Sequence, residues 1–229
     1  MKKIVILISG RGSNMAALIE ASRTGQLGAA EIVAVLANRP DARGLKIAAD
    51  AGIATEVVDH RAYPDRVTFD AALAQVIEAH APDLVVLAGF MRILTPAFVE
   101  RFSGRMLNIH PSLLPAFPGV NTHAQALAAG VRIHGCTVHF VTPELDHGPV
   151  VIQAAIPVFD DDDESTLAER VLAQEHVIYA QAVRCFVEER LVIEGMQVRL
   201  VGSLQADDGL QASSHLHAPQ LGSRAGSGV

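Results

Sequence analysis

The middle of the chain carries an amide and an imidazole two residues apart, within Leu107-Asn108-Ile109-His110-Pro111. On a strand, Asn108 and His110 would face the same way, about 6 to 7 Å apart, and Pro111 would keep His110 extended. An amide can donate to a developing oxyanion, and an imidazole can act as a general acid or base. The spacing alone favours a plainer interpretation, a strand-end cap with a hydrogen-bonded surface histidine.

A glycine-rich segment, Ser9-Gly10-Arg11-Gly12-Ser13-Asn14, separates an apolar run from a helical pattern near the start of the chain. Glycines allow close approach of backbone, and a helix N-terminus offers free N–H groups to an anion. The dinucleotide fingerprint needs a third glycine where Met15 stands, and an acidic residue after the second strand. We therefore predict a site for a single phosphate monoester at Gly12, Ser13 and Asn14. The alternative is a tight turn capped by Ser13.

A third polar segment, Thr142 to Pro149, follows a predicted strand and could supply a carboxylate from Asp146 or Glu144. An Asx-type turn before Gly148 explains the same residues equally well. Nearby, three candidate metal ligands share one predicted strand, but the third of them faces away from the other two. We predict no metal site there; the residues concerned are His134, Cys136 and His139.

The elements that must position these segments alternate between strand and helix, which is typical of βαβ units. Wholly apolar runs suit strands buried on both faces of a parallel sheet. The predicted strands cover residues 4–8, 32–37, 84–87, 106–109, 136–141 and 150–158, with a hairpin at 191–193 and 198–201. The predicted helices cover residues 14–23, 45–51 and 66–80, with a further start at Thr95-Pro96 and a long helix from a capping box at 166–169 to 189.

Composition limits the class of protein. Half of the residues are hydrophobic, the net charge is −7, and two cysteines cannot form a disulfide framework, which suits a cytoplasmic protein. Acidity and the lack of tryptophan argue against a nucleic-acid surface. The longest apolar run, Leu84 to Met91, is far shorter than the about 20 residues of a membrane span. We predict one catalytic domain over residues 1–202, a disordered tail over 203–229 and small-molecule partners.

Longer sequence segments around these motifs closely resemble the folate-dependent glycinamide ribonucleotide formyltransferases. The matching segments occur in the same order as in that family and extend over residues 1 to about 200. The matching sequence segments are Leu7 to Asn14, Val85 to Leu94, Leu107 to Pro115, His134 to Asp146 and Gln174 to His176. The resemblance implies a doubly wound, mostly parallel sheet with flanking helices. It also implies transfer of a formyl group from 10-formyltetrahydrofolate, a co-substrate, to the amine of 5-phosphoribosylglycinamide in de novo purine (IMP) biosynthesis, without a metal.

The resemblance assigns roles to individual positions. The positions that match the substrate-binding residues are Gly12, Ser13 and Asn14 for the phosphate and Glu175 for the ribose. Those that match folate contacts are Arg66, Met91, Arg92, Ile93, Leu94, Asn108 and Val141. The catalytic positions are Asn108, His110 and Asp146. It leaves homodimer formation open.

The chemistry implied by this trio is coherent. Asn108 and a protonated His110 would donate to the oxyanion formed when the amine attacks the formyl carbon. A carboxylate at Asp146 would favour the imidazolium form of its neighbour and help to move the amine's proton through a water. Three positions depart from the family pattern: Leu172 replaces a polar or basic residue near the phosphate, while Pro143 and His147 flank the catalytic carboxylate.

Related enzymes are weaker candidates. Methionyl-tRNA formyltransferases add a C-terminal RNA-binding domain, and formyltetrahydrofolate hydrolases add an N-terminal regulatory domain; we expect room for neither here. Sugar-nucleotide formyltransferases need nucleotide recognition, which the short phosphate loop does not suggest. A non-catalytic folate- or nucleotide-binding module would leave the trio of Asn108, His110 and Asp146 unexplained.

Overall fold

The computed structural model describes residues 1–202, and the tail predicted over residues 203–229 lies outside the described residues. Alternating strands and helices build one sheet with helices on both faces. The strands are β1 (Lys2–Ile8), β2 (Ala30–Ala37), β3 (Ala54–Val57), β4 (Leu84–Leu87), β5 (Met106–His110), β6 (Ile133–Phe140), β7 (Val150–Pro157), β8 (Leu191–Glu194) and β9 (Gln197–Leu200). The α-helices are α1 (Ser13–Arg23), α2 (Gly44–Asp50), α3 (Arg66–Ala79), α4 (Pro96–Arg101), α5 (Thr122–Ala128) and α6 (Glu164–Val187).

The strand order in the sheet is β3-β2-β1-β4-β5-β6-β7-β9-β8. β1 pairs in parallel with β2 on one side and with β4 on the other, so the chain winds outwards in both directions from β1. β3 and β5 extend the parallel part, whereas β6 and β7 are each antiparallel to the strand before them. The predicted doubly wound, mostly parallel sheet is therefore confirmed.

Alternate residues of β1 feed two separate cores, which explains why the strand is wholly apolar. Ile4, Ile6 and Ile8 face the layer of α1, α2 and α6. Val5 and Leu7 face the layer of α3 and α4. All five are buried, and complete burial of such a side chain contributes about 1.5 to 3 kcal/mol. Helices on both faces leave only the loops at the strand ends available for chemistry.

A buried tyrosine ties α6 to two neighbouring strands. The Tyr179 hydroxyl lies 2.9 Å from the carbonyl oxygen of Leu87 and 3.1 Å from that of Leu107. Leu87 is the last residue of β4, and Leu107, the second residue of β5, is paired with Val86 of β4. The hydroxyl therefore holds the helix against β4 and β5, and β5 carries Asn108 and His110 of the candidate site.

Several helix boundaries differ from the prediction because glycine and aspartate provide the caps. Gly12, in the left-handed region at φ +76°, is the N-cap of α1, so Ser13 is not the cap. The capping box of α6 is formed by Asp163 and Thr166, three residues before the predicted one. At α4 the prediction is confirmed, since Thr95 Oγ1 accepts from the Phe98 N–H.

Two short elements were not predicted at all. β3 is an exposed edge strand with the sequence Ala-Thr-Glu-Val, which has no apolar pattern. α5 has seven residues, too few to show a helical period. Within residues 1–202, no helix is both long and apolar enough to cross a lipid bilayer.

Candidate active site

The two predicted polar segments after β1 and at β5 lie near one another because the strands that carry them are parallel and separated only by β4. In a doubly wound sheet, the crevice beside the first strand is where ligands bind. The turn between β6 and β7, residues 141–149, brings Asp146 to the same place. Asp146 takes a left-handed backbone conformation at φ +52°, which aspartate tolerates better than most residues.

Asp146 and His110 form the centre of the site. Asp146 Oδ2 accepts a hydrogen bond of 2.8 Å from the Gly119 N–H and lies 3.5 Å from His110 Nδ1. The other ring nitrogen, Nε2, donates to the Phe117 carbonyl oxygen at 2.9 Å. The His110 and Asp146 side chains are only 5% and 8% exposed. Since both ring nitrogens face oxygen acceptors, the surroundings suit an imidazole that donates from both sides.

A second histidine, His139, orients the side-chain amide of Asn108. Its Nδ1 lies 2.9 Å from the Phe140 carbonyl oxygen and its Nε2 lies 3.1 Å from Asn108 Nδ2. Burial lowers the pKa of His139, which favours the neutral ring. Nδ1 then donates to the carbonyl oxygen, and Nε2 accepts from the amide. An amide carries two N–H bonds, so the Asn108 side chain keeps a second one for a ligand.

The contact of His139 with Asn108 was not predicted from the sequence, in which this histidine suggested only a candidate metal ligand. The signal available was register: in a β5–β6 pair, a residue directly opposite Asn108 must touch it. The structure places Asn108 opposite His139. Among residues 1–202, no cluster of histidine, cysteine, aspartate or glutamate could hold a metal ion.

The phosphate loop is held in shape by close packing of backbone against backbone. A Cβ atom on Gly12 would lie 2.9 Å from the Cα of Gly44, and the φ of +76° already disfavours other residues. Gly44 in turn donates its N–H to the Gly10 carbonyl oxygen at 3.0 Å. The first N–H groups of α1 have no partner within the helix, so the loop presents them as an anion site.

The predicted ribose and phosphate residues meet directly. Asn14 Nδ2 donates to Glu175 Oε2 at 2.7 Å, which joins the phosphate loop to α6. Burial raises the pKa of the Glu175 carboxyl, and the hydrogen bond from Asn14 opposes that shift. The electrostatic influence of His110 also reaches this carboxyl. The Asn14 side-chain amide is therefore occupied by its hydrogen bond to Glu175. The backbone N–H of Asn14, in contrast, is oriented by the start of α1.

We expect Asn14→Asp to impair this connection. The variant has the same shape but places a second carboxylate against Glu175, where like charges repel. The KM for the phosphoribosyl substrate predicted from the sequence should rise about tenfold or more, equivalent to about 1.4 kcal/mol, while the KM for the predicted folate co-substrate changes little. Steady-state kinetics with each substrate varied in turn measures this. Gln26→Glu, an exposed amide-to-acid change, is the control; equal effects of the two variants would contradict the assignment.

The predicted folate segment follows β4 and is exposed in its middle. Met91 and Ile93 are 74% and 57% exposed, whereas Leu94 is buried. Arg66, at the start of α3, reaches the Ile93 carbonyl oxygen at 3.5 Å. Arg92 lies with its guanidinium carbon 5.8 Å from the centre of the Phe69 ring.

The remaining predicted positions lie at the border of the site. Val141 is half-buried where the β6–β7 turn begins, and its N–H donates to the Met106 carbonyl oxygen at 2.9 Å. Leu172 is half-buried on α6, about one turn before Glu175. In the β6–β7 turn Pro143 and His147 are both exposed, and His147 Nδ1 lies 3.3 Å from the Glu144 carboxylate.

Fold and site together define a doubly wound α/β protein with a glycine-containing loop at the start of α1, a buried contact between the His110 and Asp146 side chains, and Asn108 two residues before His110 on β5. The sequence model of the family described as formyl transferase matches residues 2–183. The chain therefore belongs to the formyl transferase family.

Relatives of known name are similar over most of the chain. It is 52% identical to the phosphoribosylglycinamide formyltransferase of Escherichia coli over 188 residues, covering 82% of this chain and 88% of that protein. It is 48% identical over 182 residues to the human trifunctional purine biosynthetic protein adenosine-3, covering 80% of this chain but 18% of that much longer protein.

Solved structures support the same relationship. The glycinamide ribonucleotide transformylase 1 of Symbiobacterium toebii has a TM-score of 0.86 at 48% identity, covering 88% of this chain and 95% of that one. A formyltetrahydrofolate deformylase from Pseudomonas syringae has a TM-score of 0.81 at 28% identity, covering 88% of this chain and 66% of that one.

Proposed function

We propose that this chain transfers a formyl group from 10-formyltetrahydrofolate to the amine of 5-phosphoribosylglycinamide, a step of de novo purine biosynthesis. One observation carries the proposal: the buried contact of His110 with Asp146, beside Asn108 and within electrostatic reach of Glu175. Such a cluster unites an amide donor, an imidazole and a carboxylate with the residues expected to hold the ribonucleotide.

The ribonucleotide would bind with its phosphate at the start of α1. Backbone N–H groups at Gly12, Ser13 and Asn14 and the positive end of the helix dipole suit a dianion. Glu175, oriented by Asn14 at 2.7 Å, would accept from the ribose hydroxyls. Leu172 contributes no hydrogen bond there, so the backbone loop would carry the phosphate with less side-chain help.

The folate would lie against the segment after β4. The exposed apolar side chains of Met91, Ile93 and Leu145, which is 54% exposed, fit the faces of a planar ring system. The positions we propose as folate contacts are Arg66, Met91, Arg92, Ile93, Leu94, Asn108 and Val141. The bound co-substrate supplies the formyl carbon that the amine attacks and leaves as tetrahydrofolate.

The catalytic roles follow from donors and acceptors already in place. The free N–H of Asn108 would stabilise negative charge on the formyl oxygen, as preorganised donors do. His110 would add a second donor by exchanging the Phe117 carbonyl oxygen for the formyl oxygen at Nε2. Asp146 would hold His110 in its donating form across 3.5 Å and accept the proton that the amine loses. One such donor contributes about 3 to 4 kcal/mol to lowering a barrier.

We further propose that residues 1–202 form the catalytic domain and that the protein acts in the cytoplasm on small molecules, without nucleic acid or membrane. The support for this is the single sheet that unites residues 2–200 and the acidic composition, with net charge −7. A homodimer is compatible with the proposal and is not required by it.

The proposal is tested by mixing the purified protein with 10-formyltetrahydrofolate, with and without 5-phosphoribosylglycinamide, and following free tetrahydrofolate. Release that requires the ribonucleotide supports the transferase. Release without it would identify a hydrolase, the activity named for the deformylase relative. Binding without release would indicate a non-catalytic folate-binding module, and both of these outcomes contradict the proposal.

A further inference from the structure

One residue belongs to the phosphate loop and also holds the proposed folate segment. Ser9 is the first residue after β1 and is 7% exposed. Its N–H donates to the Gly89 carbonyl oxygen at 3.1 Å. Its hydroxyl oxygen accepts from the Met91 N–H at 2.7 Å. A single buried serine thus fixes the segment after β4 at two points two residues apart.

The other end of that segment is fixed independently. Thr95 donates its N–H to Oδ2 of Asp70, a residue of α3 that is 2% exposed, at 2.6 Å. Between the two anchors, the side chains of Met91 and Ile93 remain exposed. The segment is therefore held at both ends, while in its middle the Met91 and Ile93 side chains stay exposed and the Ile93 carbonyl oxygen accepts from Arg66 at 3.5 Å.

Ser9 links the phosphate loop to the segment after β4, while other contacts hold the rest of the loop. Gly10 accepts from the Gly44 N–H, and Gly12 packs within 3.2 Å of where a Cβ on Gly44 would stand. Asn14 is hydrogen-bonded to Glu175. The loop is thus restrained at these positions, and the Ser9 bonds to Gly89 and Met91 join it to the segment after β4.

We propose that Ser9 is a positioning residue that couples the two substrate sites. It places the Met91 backbone for the folate and transmits occupation of the phosphate loop to it. The inference rests on the proposed function, because both ligands are taken from it. Linkage requires the coupling to be reciprocal: each ligand must raise affinity for the other by the same factor.

Equilibrium binding, rather than turnover, tests the coupling. Calorimetry would give the dissociation constant of tetrahydrofolate with and without saturating 5-phosphoribosylglycinamide, and the converse pair. Neither mixture reacts, because no formyl group is present. For the wild type we expect a coupling factor of about five or more, the lower end of typical values.

In Ser9→Ala the coupling factor between the two ligands should fall below about two. The dissociation constant of tetrahydrofolate alone should rise about fivefold, which corresponds to the loss of one hydrogen bond. The ribonucleotide alone should bind within about twofold of wild type. Ser9→Thr keeps the hydroxyl and should restore the coupling. Ser103→Ala, at an exposed serine, should match the wild type in every measurement.

Each remaining outcome decides against the inference. Wild-type coupling retained in Ser9→Ala, or no coupling in a wild type that binds both ligands, overturns it while leaving the proposed function intact. A wild type that binds neither ligand overturns the proposed function and the inference together. A melting temperature for Ser9→Ala within a few degrees of wild type shows that lost coupling does not come from unfolding.

Discussion

Asp146→Asn is expected to abolish turnover, with a fall in kcat of at least about 10³-fold, in a protein that remains folded. The carboxylate lies 3.5 Å from His110 Nδ1 and is 8% exposed. An amide there would remove the negative charge beside His110 and, with it, the group proposed to accept the amine's proton. Loss of general acid–base catalysis costs about 10²- to 10⁴-fold, and loss of an effective oxyanion donor about 10²- to 10³-fold.

The fold should survive because asparagine meets the structural demands of this position. Asparagine tolerates the left-handed conformation that residue 146 adopts at φ +52°. Its side-chain oxygen can still accept from the Gly119 N–H, which Asp146 Oδ2 now does at 2.8 Å. Circular dichroism and the melting temperature should therefore match the wild type closely.

A neighbouring carboxylate provides the matched control. Glu144, in the same turn, is 73% exposed at its side chain and lies near His147 rather than His110. Glu144→Gln should leave kcat within about twofold of wild type. Near-normal turnover in Asp146→Asn, or an equal loss in Glu144→Gln, would show that the catalytic carboxylate has been assigned to the wrong residue.

Much of the fold follows from local patterns in the sequence. The apolar runs of β1, β2 and β4 predict strands covered on both faces, and both cores contain residues from them. The exposed edge strand β3 escapes prediction because its stability comes from pairing with β2, a contact distant in sequence. For the same reason, the place of the β8–β9 hairpin at the end of the sheet could not be predicted.

The candidate site likewise contains some contacts that a local sequence pattern predicts and others that it does not. Asn108 and His110 are two residues apart, so their shared strand face follows from the period of a strand. The contact of Asp146 with His110 joins residues 36 positions apart in sequence, and only the resemblance to a family suggested it. Three supporting residues, Ser9, His139 and Tyr179, act through contacts across the fold that no local pattern records.

The second large effect is a loss of stability in mild acid, centred on a histidine behind the active site. His134 is 1% exposed, and burial, with help from His123 and His110, lowers its pKa to about 4. His123 Nδ1 lies 3.2 Å from His134 Nε2, and the Phe117 ring packs 6.0 Å away. Protonating His134 would put a charge into a buried environment formed by the Phe117 and His123 rings.

The direction of the effect follows from proton linkage. An unfolded histidine takes up its proton near pH 6.5, but His134 in the folded protein does so only near pH 4. Between these values the unfolded chain binds more protons, so acidification favours unfolding. The contribution of neutral His134 to the free energy of unfolding is present in full above pH 6.5, and about 3 kcal/mol of it is lost by pH 4.

Urea unfolding of wild type and His134→Phe between pH 7 and pH 4 isolates this contribution. Other groups titrate in the same window: burial lowers the pKa of His123, His139 and His176, which adds to the loss, and raises that of Glu175, which opposes it. These groups remain in the variant, so the difference between the two pH profiles reports His134.

Between pH 7 and pH 4, the free energy of unfolding should therefore fall about 3 kcal/mol less in His134→Phe than in the wild type. This difference does not depend on how stable the variant is at pH 7. His147→Phe, the same change at a histidine whose side chain is 55% exposed, is the matched control and should keep the difference in unfolding free energy between pH 7 and pH 4 seen in the wild type. Parallel profiles for wild type and His134→Phe would mean that His134 carries no proton-linked stability. Because the His134 ring packs on the Phe117 ring, and the Phe117 carbonyl oxygen accepts from His110 Nε2, we expect the same acid window to weaken the contact between His110 and Phe117.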